Sequence, residues 1–212
     1  MVNVIRKIHS TDFFLRTHAS ENARILNAGS SSTVFGHDCI SVDIQNKPAI
    51  DCRCDVHELP FKDSTFDIVV ITAVLQYCLD PPRVVSELSR VLKSGGLVYT
   101  DVPFLQPYCP DTPDLFRFTK YGLMELFKKN FIVEECDTSI PGGSALAFYI
   151  QALAFHTSLG NRYLNYALTF LVSLLVLPLS VMNFGKKHQV AGAFYLVGRN
   201  SKKRDRNIQI MQ

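Results

Sequence analysis

Gly29, Asp43 and Asp55 each stand at the end of a short apolar run, and their types point to one kind of chemistry. Gly29 closes "RILNAG", where a residue without a side chain lets a ligand approach the backbone. Asp43 ends the run "CISVDI", where a carboxylate can accept both hydroxyls of a ribose. Asp55 ends "AIDCRCD", where a carboxylate can accept an adenine amino group. In an open α/β sheet, ligands sit at the carboxyl ends of the strands. A nucleoside-bearing ligand is therefore the first expectation.

The elements that must hold these residues are legible over 24–136, where strands alternate with helices. "FDIVVITAV" is apolar on both faces, as a central parallel strand must be. "GGLVYTDVPF" and "FIVEECDTSI" read as two further strands, and "VAGAFYLVGRN" as the last. Between the fourth and fifth strands Asp80 caps a helix whose first turn holds Pro81 and Pro82. Val84, Val85, Leu88, Val91 and Leu92 form its apolar stripe, and Ser94-Gly95-Gly96 is expected to stop it. Thr119 caps another helix over "KYGLMELFKKN". The fold predicted is α/β: a doubly wound, Rossmann-like, mostly parallel sheet of seven strands, the last antiparallel, with an apolar helical insertion before it.

The chemistry narrows once the loop after Gly29 is compared with its rivals. A nicotinamide dinucleotide needs GxGxxG and a full helix whose N-terminus holds the pyrophosphate. Here the run is Gly29-Ser30-Ser31-Ser32-Thr33, and only about ten residues separate Gly29 from the next strand. An adenosine cofactor without phosphates fits better, and S-adenosylmethionine needs no anion hole.

The stretch "DVHELPFKDSTFDIVVITAVLQYCLDPPRVVSELSRVLKSGGLVYTDVP" resembles the middle of the class I S-adenosylmethionine-dependent methyltransferases of the small-molecule type, which includes the quinone-biosynthesis enzymes. The matching landmarks are Asp55, "LPF" at 59–61, "FD" at 66–67, "VL" at 74–75, "DP" at 80–81, "RVLK" at 90–93 and "GG" at 95–96. The resemblance covers about residues 24–140 and the final strand. It implies that Ala28, Gly29 and Ser30 line the methionine part and that Asp43 takes the ribose hydroxyls. Asp55 and the Val56 backbone would take the adenine, with Thr72, Ala73 and Val74 beneath the sulfonium. Asn27 stands where the family usually has an acidic residue, Ser31 where it has a second glycine, and Tyr77 where it often has His. The segment "PFLQPYCPDTPDLFRFTKYGLMELF" resembles a subgroup with a proline-punctuated loop before "RFT", expected to sit over the methyl group.

Methyl transfer from a sulfonium is a direct displacement, and the protein contributes alignment and desolvation, with a base only where the acceptor must lose a proton. The titratable candidates are His57, Tyr77, Tyr108, Asp111 and Asp114. Tyr77, Asp114 and Arg117 are the catalytic candidates carried forward. His57 reads as a residue lining the adenine position, and Asp114 with Arg117, three apart, reads as a pair holding the loop. Cys109 is not expected to act as a nucleophile, because this chemistry has no covalent intermediate.

Composition bounds the rest. The 212 residues suffice for one domain with a full core and an appendage, and 47% apolar against 19% charged residues excludes disorder as the general state. The net charge of +3 is too small to argue for nucleic acid, and none is expected as a partner. The six cysteines show no CxxC pair and no cluster of histidines near them, so reduced thiols and no metal site are expected. The N-terminus lacks a long apolar core, so it reads as no secretory signal.

Residues 138–185 differ in texture, with Arg162 the one formally charged residue. "YLNYALTFLVSLLVLPLSVM" at 163–182 is as apolar as a membrane segment. Because the strands on either side must return to one sheet, the segment must begin and end on the same side, which favours a hairpin or in-plane helix over a single span. Asn165, Thr169 and Ser173 would form a narrow polar stripe, and Pro178 should bend the second helix. The organisation expected is a methyltransferase domain over 1–143 and 188–200, an apolar insertion over 144–187, and a basic tail over 201–212 expected to be disordered.

The expected function is methylation of a small-molecule or lipid- or glycan-linked acceptor, on oxygen, by a cytoplasmic protein peripheral to the inner face of a membrane. An apolar lid or dimer face is an equal reading of the insertion, so a homodimer stays open. The alternative, from another class, is a non-catalytic protein that keeps the fold and uses the insertion to bind a membrane or a protein partner.

Overall fold

The computed structural model describes residues 7, 9–29, 38–110, 112–157, 160–182 and 188–202. Ser30 and Ser31, Asp111, and the tail beyond residue 202 lie outside the described residues.

Helix α1 (Thr11–His18) precedes β1 (Ile25–Ala28), β2 (Cys39–Asp43), β3 (Cys52–Arg53) and β4 (Phe66–Thr72). Then come α2 (Pro81–Val91), β5 (Leu92–Pro103), α3 (Lys120–Phe127), β6 (Phe131–Ile140), α4 (Gly142–His156), α5 (Arg162–Val176) and β7 (Ala193–Asn200). The strands form one seven-stranded sheet in the order β3-β2-β1-β4-β5-β7-β6. The first five pair in parallel, and β7 inserts antiparallel between β5 and β6. The doubly wound arrangement with an antiparallel last strand and an apolar helical segment before it is as the sequence predicts.

The apolar run of β4 is explained by its two faces. Val69 and Ile71 pack with Val84, Val85, Leu88 and Val91 of α2 on one side. Ile68 and Val70 pack with Phe14 and Leu15 of α1 on the other. Alternate residues of a strand point to opposite faces, so both sets are buried.

Three local expectations shift. The third strand has two residues, because its pairing with β2 is limited to Val42↔Cys52 and Asp43↔Arg53. Helix α2 ends at Val91 with Leu92 as its C-cap, and Leu92 already pairs with Phe66. The register with β4 then breaks between Phe66 and Ile68, so Ser94-Gly95-Gly96 makes a bulge inside β5 rather than the helix stop. At Pro178 the second helix of the insertion stops as an α-helix and tightens into a 3₁₀ turn over Leu177–Val181.

The two insertion helices form an antiparallel pair with a small core of its own around Ala147 and Val176. Gly143 has no room for a side chain, since a Cβ would meet the Leu179 and Met182 carbonyl oxygens at 2.1 Å each. The polar stripe lies inside the pair. Gln151 Nε2 donates to Ser173 Oγ at 2.5 Å, Ser173 Oγ donates to the Thr169 carbonyl at 2.6 Å, and Thr169 Oγ1 donates to the Asn165 carbonyl at 2.8 Å. Ser173 and Thr169 are 0% and 4% exposed, whereas Leu171 and Leu175 of the same helix are 57% and 77% exposed. The pair therefore has polar contacts within and aliphatic side chains without.

Candidate active site

The carboxyl ends of β1, β2 and β4 meet at one place. Gly29 follows β1 in a left-handed conformation, φ +73°, and its N–H donates to the Val42 carbonyl at 2.7 Å. A Cβ there would lie 2.2 Å from Val74 Cγ2, so a glycine is required by conformation and by packing together. Thr72 ends β4, and its Oγ1 lies 3.3 Å from Thr11 Oγ1. Ala73, next in the chain, is also left-handed at φ +55°, and its N–H donates to the Asp101 carbonyl at 2.7 Å. Such a conformation is costly for a residue with a Cβ and recurs at functional sites. Ala28 is fully buried.

Asp43 is half-buried at the end of β2, and its Oδ1 accepts the Gln45 N–H at 2.8 Å. Asp55 is exposed after β3 and is held by His57, whose backbone N–H and Nδ1 reach Asp55 Oδ1 at 2.9 and 2.6 Å. Burial raises the Asp55 carboxyl, and these His57 contacts outweigh it, so its pKa lies below the ordinary value. His57 Nε2 in turn accepts the Asp80 N–H at 3.3 Å. His57 thus bridges the loop after β3 to the cap of α2, and this bonding calls for the Nδ1–H tautomer. Val56 beside them is buried. These residues suit an adenosine group: a glycine turn, one carboxylate at the end of β2, and a second after β3 whose Oδ2 accepts from no described residue.

Ala73 also belongs to the wall of a cavity of about 430 Å³, a volume typical of small-molecule sites. The 103–118 loop supplies Pro103, Pro107, Tyr108, Cys109, Pro110, Asp114 and Arg117, and α4 supplies Phe148, Gln151, Ala152 and Phe155. Tyr77 lines it from the 3₁₀ turn Leu75–Tyr77. Burial, with Cys109 beside it, raises the Tyr77 phenol above its ordinary value. Asp114, 1% exposed at its side chain, is paired with Arg117 through both oxygens and accepts the Cys109 N–H at 3.0 Å. The Arg117 guanidinium holds its carboxyl below the ordinary range. The pair clamps the loop across its prolines.

Three wall residues carry no local sequence signal. Lys7 Nζ bonds Asp101 Oδ2 at 2.7 Å, and Ser139 Oγ donates to Asp101 Oδ1 at 3.1 Å. Gln76 is 1% exposed, and its Oε1 is buried with no hydrogen-bond partner among the described residues. A larger hollow of about 740 Å³ lies at the amino ends of the strands around Asp67, Lys93 and Gly95. Its Lys93 and Asp67 neutralise each other at 2.7 Å, and parallel sheets bind ligands at the opposite edge.

Residues 21–100 match the family described as "Methyltransferase domain". With the strand order above, that match identifies residues 21–100 as a methyltransferase domain of the S-adenosylmethionine-dependent kind. It is 36% identical over 98 residues to a demethylmenaquinone methyltransferase of Lysinibacillus sphaericus, covering 42% of this chain and 42% of that one. It is 33% identical over 97 residues to the biotin biosynthesis bifunctional protein BioHC of Cellvibrio japonicus, covering 37% of this chain and 19% of that one. The chain thus spans less than half the length of these curated relatives. Among solved structures it shares the fold of a SAM-dependent methyltransferase from Methanosarcina mazei, with a TM-score of 0.52 and 16% identity over 88% of this chain and 96% of that one. It also shares the fold of the [4+2]-cyclase SpnF, with a TM-score of 0.57 and 16% identity over 86% of this chain and 76% of that one. A cyclase on this fold means that the fold alone does not name the reaction.

Proposed function

We propose that this protein is an S-adenosylmethionine-dependent methyltransferase that methylates a small, largely apolar acceptor on oxygen, at the inner face of a membrane. The observation that carries the reading is the junction at Ala73 and Val74, where the strand-end cradle of Gly29, Asp43 and Asp55 adjoins the cavity. When bound, the cofactor supplies a methyl group on a sulfonium sulfur, open to direct displacement by an oxygen lone pair. Asp43 holds the ribose hydroxyls, and Asp55, oriented by His57, faces the adenine. Tyr77 stays protonated at neutral pH, because burial raises its pKa, and orients the acceptor rather than taking its proton. Asp114 is occupied by Arg117 and the Cys109 amide, so it shapes the loop instead of acting as a base. As the O–CH3 bond forms and the S–CH3 bond breaks, the hydroxyl proton would pass to solvent at the cavity mouth, and alignment would supply the acceleration.

The membrane part of the proposal rests on the inverted polarity of α4 and α5. The stretch Arg162–Val181 has a mean hydropathy of 2.0 over its most apolar window, of which 22% is buried. Lipid accepts that outer surface, and α4 borders the cavity, so an apolar acceptor reaches it from the bilayer.

Calorimetry with S-adenosylmethionine and with NAD tests the cofactor. The protein should bind the former only, and Asp43→Ala should weaken it by roughly 1.5–3 kcal/mol, the scale of hydrogen bonds to a charged group. An unchanged affinity in the variant refutes the assignment. One observation favours a non-catalytic reading: Asn27, buried in β1, replaces the acidic residue usual in the family. Cofactor binding without transfer of a labelled methyl group to any lipid extract would support that reading instead.

A further inference from the structure

The cavity beside Ala73 has a composition that restricts what can fill it. Its formally charged wall residues are Lys7, Asp101, Asp114 and Arg117, and they pair with one another. Asp101 also takes the Ser139 hydroxyl, and Asp114 the Cys109 amide. Among these four residues a charged ligand would find no unpaired countercharge, and burying it without one would cost several kcal/mol or more. Most of the remaining wall is proline, phenylalanine, alanine and isoleucine.

Tyr77, Gln106, Tyr108, Gln151 and His156 are polar wall residues too, and Gln76 differs from them in a buried oxygen without a partner among the described residues. Its side chain lies beneath the surface, and its backbone carbonyl is taken by the Leu115 and Phe116 N–H groups at 2.8 and 3.1 Å. Its Oε1 accepts nothing from any described residue. Buried polar groups without partners are rare, and each calls for an explanation. The side-chain amide also bonds the Tyr77 phenol, so the orphan is the oxygen alone, and a leucine of similar size would remove it together with that bond. Retaining a glutamine in the wall of a ligand cavity has a ready reason if a ligand donates to it.

We propose that Gln76 selects the ligand of this cavity, its Oε1 accepting a hydrogen bond from the hydroxyl of a neutral, apolar-bodied molecule packed against Pro103, Ile140, Phe148 and Phe155. The proposal rests on reading the cavity as the acceptor site, and it deepens that reading by naming the ligand's chemistry: uncharged, with an O–H donor. Gln76 gives and takes no proton. It fixes where the hydroxyl oxygen lies and rejects molecules that cannot donate.

The test uses three probes that share a hexyl-substituted ring: para-hexylphenol, its methyl ether para-hexylanisole, and para-hexylbenzoate. Calorimetry on the full chain should show the phenol bound roughly tenfold more tightly than the ether, the upper range for one neutral hydrogen bond, and the benzoate more weakly than either. Gln76→Leu should bind phenol and ether alike, whereas a merely structural glutamine would leave the preference intact. Gln76→Met, which also lacks the acceptor, repeats the test without branching if Leu disturbs the turn. Persistence of the phenol preference in both variants overturns the proposal, as does failure of the wild type to bind the phenol or to prefer it over the ether. S-adenosylmethionine is titrated into the same samples. Cofactor binding without phenol preference overturns the assignment of Gln76 alone. Phenol preference without cofactor binding supports the Gln76 site and overturns the methyltransferase reading.

Discussion

Gly29→Ala tests whether the strand-end cradle is built as described. Two separate costs arise. The first is conformational: alanine at φ +73° meets the left-handed penalty of about 1–2 kcal/mol. The second is steric: the new methyl would stand 2.2 Å from Val74 Cγ2, with Val74 Cγ1 and Cβ at 3.1 and 3.2 Å. Valine is stiff at χ1, and both of its methyl groups are close, so rotation alone gives little relief. Overpacking of this kind costs about 1–3 kcal/mol. The sum, about 2–5 kcal/mol, corresponds to a fall in Tm of roughly 4–20 °C for a domain of this size. The two parts separate in a double-mutant cycle read by urea denaturation. Val74→Ala removes the clash but not the backbone penalty, so Gly29→Ala/Val74→Ala should be more stable than the sum of the single changes by about 1–3 kcal/mol. A Gly29→Ala variant within 0.5 kcal/mol of the wild type, or strictly additive effects, would show that Val74 does not pack on Gly29 and that the junction is misdrawn.

Two further outcomes are expected. His9 stacks on Tyr195 with ring centroids 3.9 Å apart, and burial holds its pKa below the ordinary 6.5. The unfolded chain therefore takes up that proton first, so stability is full above about pH 6.5 and falls as pH drops through that value. His9→Phe should remove that part of the slope in Tm against pH, and an unchanged slope counts against it. Wild-type protein should float with anionic vesicles, while Leu171→Asp/Leu175→Asp should remain soluble and unbound; a wild type that stays monodisperse without detergent and ignores vesicles refutes the membrane reading.

Much of this protein is decided within short windows of sequence. The Asp80 cap with Pro81 and Pro82 starts α2, and the spacing of Val84, Val85, Leu88 and Val91 sets the face it buries. The unbroken apolar run of β4 requires cover on both sides, and it receives α1 on one and α2 on the other. Gly29, Asp43 and Asp55 are visible because each ends a strand, and strand ends are a local property. The four-residue recurrence of Asn165, Thr169 and Ser173 is equally local. Which way that stripe faces is not: a helix pattern shows two faces without saying which meets protein, and only the approach of Gln151 turned the polar one inward. The cavity is likewise a product of distance along the chain. Lys7 reaches Asp101 across 94 positions, and no periodicity foretells such a pair. Gln76 looks in sequence like any polar residue after a strand. Its burial depends on Leu115 and Phe116 closing over its backbone, and on the clamp of Asp114 and Arg117 that holds their loop in place. Caps, turns and hydrophobic periods are written in neighbouring residues, whereas desolvation is set by whatever packs from afar, and desolvation decides what this cavity will bind.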